Sequence, residues 1–187
     1  MKFAKSSLCL ALLSGLSFNA LAEVDIYGKA NVTVQSSDDG EGSFTEIKSN
    51  ASRFGLKGSE KITDGLEAVY KFEFQVDVSD ADSKGDNDDN ISARNQYVGL
   101  KGAYGQVVVG RNDTALKQSQ GKLDLFNDLE GDIKNVFKGE NRLGDSITYT
   151  SKSYEGFKVL ATFIAEDDVD ADNGYSMAVT YGDSALK

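Results

Sequence analysis

The sequence predicts an all-β fold, an antiparallel barrel whose strands cross a membrane, on three observations. The N-terminus carries an export signal. Beyond it, apolar and polar residues alternate with period two in eight segments, and no later apolar run is long enough for a membrane helix. The connections between these segments alternate short and long, as expected of a barrel with one end toward the periplasm and the other toward the exterior.

The signal comes first. Lys2 and Lys5 precede an apolar stretch from Leu8 to Leu21 that ends in Ala20-Leu21-Ala22, so residues 1–22 have the basic, apolar and small-residue parts of a secretory leader with cleavage after Ala22. The stretch is interrupted by Ser14, Ser17 and Asn19 and is too short for an anchor. Cys9, the one cysteine, leaves with it. Residues 23–187 are then the mature part.

Eight strands are expected at 24–35, 47–58, 66–78, 91–102, 104–112, 142–151, 156–166 and 174–182. The first sets Val24, Ile26, Ala30, Val32 and Val34 against Asp25, Tyr27, Lys29, Asn31, Thr33 and Gln35. The third is the clearest, with Leu66, Ala68, Tyr70, Phe72, Phe74, Val76 and Val78 opposed to Glu67, Lys71, Glu73, Gln75 and Asp77. Phe157, Val159, Ala161 and Phe163, then Tyr175, Met177, Val179 and Tyr181, repeat the apolar face. Short turns (SEKITDG, AYG, KSYE) follow the second, fourth and sixth segments; long polar loops follow the first, third, fifth and seventh. Alternation alone does not say which face is inside, because a soluble sandwich shows it too. The leader, the loop asymmetry and aromatics near strand ends (Tyr97, Tyr149, Phe157, Tyr175, Tyr181) favour the membrane arrangement.

Composition narrows the function. The formal charge is −10, and loss of Lys2 and Lys5 makes it two units more negative; an acidic chain of this kind is not built for nucleic acid. Histidine, proline and tryptophan are absent, which removes the commonest general base and metal ligand and suits uninterrupted strands. Neither acidic stretch, 77–90 nor 166–174, has the ligand spacing of a calcium loop, so no metal or cofactor is expected. An enzyme would have to work with carboxylates or lysine alone, and carboxylates are too numerous here for their presence to be informative.

The segments VDIYGKANV, SRFGLKGSEKITDGLEAVYKFEFQ, RNQYVGLKGAYGQVVVGRND and NRLGDSITYTSKSYEGFKV, in this order and at these spacings, resemble the N-terminal half of the trimeric general porins of Gram-negative outer membranes. The resemblance covers essentially the whole mature chain. It implies half of a sixteen-stranded barrel, a homotrimer among outer-membrane lipid and lipopolysaccharide, and passive diffusion of ions and small hydrophilic solutes. It also implies a third loop, 113–141, folded inward as a constriction. Asp124, Asp128 and Glu130 would supply its acidic side. Lys29, Arg53, Arg94, Arg111 and Arg142 would form the facing basic wall. The chain ends soon after its eighth segment without the aromatic terminus usual in that family, so a fragment or a truncated product is expected. A small closed eight-stranded barrel with a binding or structural role stays open as the alternative.

Overall fold

The computed structural model describes residues 23–38, 40–79, 90–121, 123–166, 168 and 171–182. The expected leader, 1–22, and most of the acidic stretch 77–90 lie outside the described residues.

Eight strands form one antiparallel meander: β1 (Glu23–Lys29), β4 (Arg53–Thr63), β5 (Leu66–Val76), β6 (Ile91–Gly102), β7 (Gly105–Asp113), β8 (Arg142–Ser151), β9 (Phe157–Ile164) and β10 (Gly174–Tyr181), hydrogen-bonded in that order. Between β1 and β4 the chain makes a separate hairpin of β2 (Val32–Asp38) and β3 (Ser43–Ser49). Among the described residues β1 and β10 pair on one side only, so the eight strands do not close on themselves as a small barrel would.

The expected first strand, 24–35, and second, 47–58, are each broken in two. The break is chemical. Asn31 and Ser52 trade backbone–side-chain hydrogen bonds, the Asn31 amide donating to Ser52 Oγ at 2.9 Å, while Asn31 Nδ2 donates to the Asn50 carbonyl. Ala51 turns with φ 50°. Asn and Ser offer the backbone an alternative to the ladder, and the hairpin β2–β3 departs there. At the other end β4 runs to Thr63, five residues past its expected end, because Asp64-Gly65 alone makes the turn. Gly65 has φ +83°, the conformation that two-residue hairpins require.

The two faces of the sheet answer the question that periodicity leaves open. On one face of the sheet, Ile26, Leu56, Val98, Leu100, Val109, Ile147, Val159, Met177 and Val179 are exposed. They line up across strands through the pairs Ile26↔Leu56, Val98↔Val109 and Val109↔Ile147. The opposite face buries polar groups: Glu73, Asn95, Ser146, Thr148 and Thr162. A soluble protein has no reason to expose the greasy side and cover the polar one; a lipid-facing sheet with a polar interior has. Among the described residues no helix is long and apolar enough to cross a membrane, which leaves crossing by strands untouched.

The segment after β7 lies against the polar face. It begins with the short helix α1 (Ala115–Ser119), capped by Thr114, and later makes a single 3-10 turn, Ile133–Asn135, capped by Asp132. The Ala115 amide donates to Thr162 Oγ1 on β9 and the Leu116 amide to Ser176 Oγ on β10, both at 3.0 Å. Ala115, Val108 and Thr148 are fully covered at this joint.

Candidate functional site: a charged cleft on the polar face

Cross-strand register brings inner-face residues of β1, β4 and β5 side by side. Tyr27, Gly55 and Glu73 form one row, and Lys29, Arg53 and Gln75 the next. Gly55 is required by this packing: a Cβ there would meet the Tyr27 hydroxyl and the Phe72 carbonyl, each at 2.8 Å. With no side chain in the way, the Tyr27 ring crosses the gap and its hydroxyl donates to Glu73 Oε2 at 2.8 Å.

Glu73 is the centre of the wall and was not among the expected site residues, although alternation had placed it on the charged face. Only 5% exposed, it accepts Arg94 Nε at 2.8 Å and stands 3.2 Å from Lys71 Nζ. Arg94 reaches further to Gln75 Oε1 at 3.0 Å. Its inward position depends on a β-bulge between Phe72 and Phe74 in the β5–β6 register; strict alternation from Val98 and Leu100 would have turned it outward.

The loop supplies the second carboxylate. Asp128, with φ 70°, points its Oδ2 at Arg53 Nη1 (2.9 Å) and Lys29 Nζ (3.1 Å). Burial raises the pKa of its carboxyl, but the hydrogen bonds and positive charges of Arg53 and Lys29 more than offset this and hold it below the ordinary carboxylate value. Glu130 pairs with Lys48 on β3. A third group gathers at the neck of the loop. Arg142 donates to Asn95 Oδ1 at 2.7 Å and lies 3.0 Å from Asp113, while Lys117 meets Glu140 at 2.6 Å.

Two expected residues stand elsewhere. Asp124 turns into its own loop, accepting the Phe126 amide at one oxygen and the Ile133 amide at the other; an Asp two residues before a free amide closes such a turn readily, and no spacing rule distinguishes it from a pore-facing carboxylate. Arg111 continues the outward row of Val107 and Val109, pairs in register with Gln96 and donates Nε to the Ala93 carbonyl. Asp124, Asp132 and Glu140 do bring one carboxylate oxygen each within 4.8 Å of the others. Lys134 and Lys117 already neutralise two of them, so the trio serves as internal bracing of the loop.

Between wall and loop lies a cavity of about 610 Å³ bordered by Arg53, Glu73, Arg94, Asp128, Glu130 and Arg142 among others. Seven of its bordering side chains are Lys or Arg and six are Asp or Glu. The cleft is therefore slightly positive in a chain whose formal charge is −10.

A family model for Gram-negative porins matches residues 7–186. The chain belongs to the Gram-negative porin family. This porin is 28% identical over 182 residues to the major outer membrane protein P.IB of Neisseria sicca, covering 90% of this chain and 49% of the relative. To P.IB of Neisseria meningitidis serogroup A it is 27% identical over 187 residues, covering 92% and 53%. The chain thus spans about half the length of the curated relatives it matches. In fold it is similar to an anion-selective porin from Comamonas acidovorans (TM-score 0.68, 22% identity, 86% of this chain and 54% of that one). It is likewise similar to the trimer form of OmpT of Vibrio cholerae (TM-score 0.63, 19% identity, 87% and 47%). Family membership places the porin in the outer membrane of a Gram-negative bacterium.

Proposed function

We propose that this sheet forms half the wall of a water-filled channel through which ions and small hydrophilic solutes diffuse passively. The observation that carries this reading is the pairing of an exposed apolar outer face with an inner face on which a long loop is held by charges of both signs. Charges of both signs bordering the aqueous cleft make a strong local field; polar solutes orient in it, while apolar ones lose favourable hydration without compensation. Arginine suits the wall because it stays charged among like charges.

In this reading residues 113–141 are the constriction loop, with Asp128 and Glu130 on the loop side. Lys29, Arg53, Arg94 and Arg142 form the basic side. Residues 1–22 are the removed leader. Among the described residues the sheet has two unpaired edges, which lipid does not tolerate; in this reading the full protein closes its wall with further strands and assembles as a homotrimer bordered by lipid and lipopolysaccharide. The test is conductance: the refolded full-length protein inserted in planar bilayers should give discrete current steps. A well-folded barrel that never conducts rejects the proposal.

A further inference from the structure

We propose that Glu73 is a specificity-determining residue of this pore, a counter-charge fixed in the wall that lowers its anion-to-cation permeability ratio; this rests on the channel reading above. Lys71 and Arg94 sit on neighbouring strands, 20% and 13% exposed, with the same carboxylate between them. Two cations this close repel, and a buried acceptor that both can reach holds them together at the inner face. Tyr27 adds a third hydrogen bond to the same group from β1, leaving Glu73 no freedom to swing away.

The arrangement differs in kind from the one at the loop. Asp128 also stands between two cations, Lys29 and Arg53, but it travels with the loop. Glu73 belongs to strand β5, central in a three-strand hydrogen-bonded ladder with β4 and β6. Its negative charge stays in the wall whatever the loop does. The local sum is two cations and one anion, a single net positive charge; without the carboxylate it doubles.

Four versions of the full-length refolded protein test this by reversal potential across a tenfold KCl gradient at low salt: the parent, Glu73→Gln, Arg94→Gln, and the double variant Glu73→Gln/Arg94→Gln. Glu73→Gln should raise the anion-to-cation permeability ratio about threefold, the effect of one unit charge on an ion passing ~6 Å away in screened water. Arg94→Gln should lower it by a similar factor, and the double variant, whose net charge equals the parent's, should return close to the parent value. A role confined to stability would not produce that restoration. If Glu73→Gln does not refold, Lys71→Gln and Lys71→Gln/Glu73→Gln make the same comparison with one cation fewer left unpaired, and the ratio must rise from the first to the second. A conducting Glu73→Gln protein with the parent ratio overturns the inference while leaving the channel reading intact; a folded parent that carries no current removes both.

Discussion

Replacing Asp128 by Asn keeps its shape and removes its charge, and the structure sets the size of the effect. The Asp128 side chain is 9% exposed and its Arg53 partner 23%, whereas Lys29 is 43% exposed. The Lys29 contact is screened by solvent and contributes little. The Arg53 contact is a partly desolvated, charge-assisted hydrogen bond, which is worth ~1.5–3 kcal/mol when both partners are intact. Asn still accepts a neutral hydrogen bond, so the net loss of docking at the loop tip is about 1–2 kcal/mol. At about 1.4 kcal/mol per factor of ten, the undocked population rises roughly five- to thirtyfold. Single-channel recording of the full-length variant should show excess open-channel noise. Noise equal to that of the parent would mean that the ion pairs do not hold the loop.

The same contact sets a pH dependence. Because the docked pKa of Asp128 lies below its ordinary value of 3.8, docking draws its full stabilisation above that value and loses it only as the pH falls through the depressed one; conductance noise should be flat from pH 7 to 5 and rise below 3.8. Arg53→Gln and Arg142→Gln should each move the permeability ratio toward cations at low salt, with the shift fading near 1 M, where the Debye length is about 3 Å. Arg111→Gln, on the outward row, should leave that ratio unchanged, and a cation-ward shift equal to that of Arg53→Gln would contradict its placement. Gly55→Ala forces the Tyr27 ring and the β5 backbone apart and should destabilise the refolded barrel by about 1–3 kcal/mol, read as a lower midpoint in thermal unfolding on gels.

Strands were legible because a half-buried strand must alternate, and β5 shows this in every residue from Leu66 to Val76 except Val69. What alternation could not show was any place where the chain skips a beat. The bulge opposite Phe72 and Phe74 turns Arg94 inward, and the Asn31–Ser52 exchange splits two strands, yet in both cases the residues involved are ordinary strand or turn residues in sequence. Within the loop, carboxylate identity carried no orientation: Asp128 reaches the wall and Asp124 folds back on its own backbone. Glu73 was visible as a charged-face residue, but its importance arises from Tyr27, Lys71 and Arg94 converging from three strands, a relation that exists only after the register is set.

The two ends of the inward segment are fastened by different means. Its root is held by neutral bonds from the Ala115 and Leu116 amides to Thr162 and Ser176 and by sheltered ion pairs at Lys117 and Arg142, and its tip by ions at Lys29, Arg53 and Lys48, of which the two lysines are more exposed. Mechanically this is a cantilever, clamped at the base and tethered at the tip by springs whose stiffness depends on the surrounding electrolyte. Dilute media tighten the tip and concentrated media slacken it sooner than the sheltered base, so the position of the tip follows the ionic strength around it.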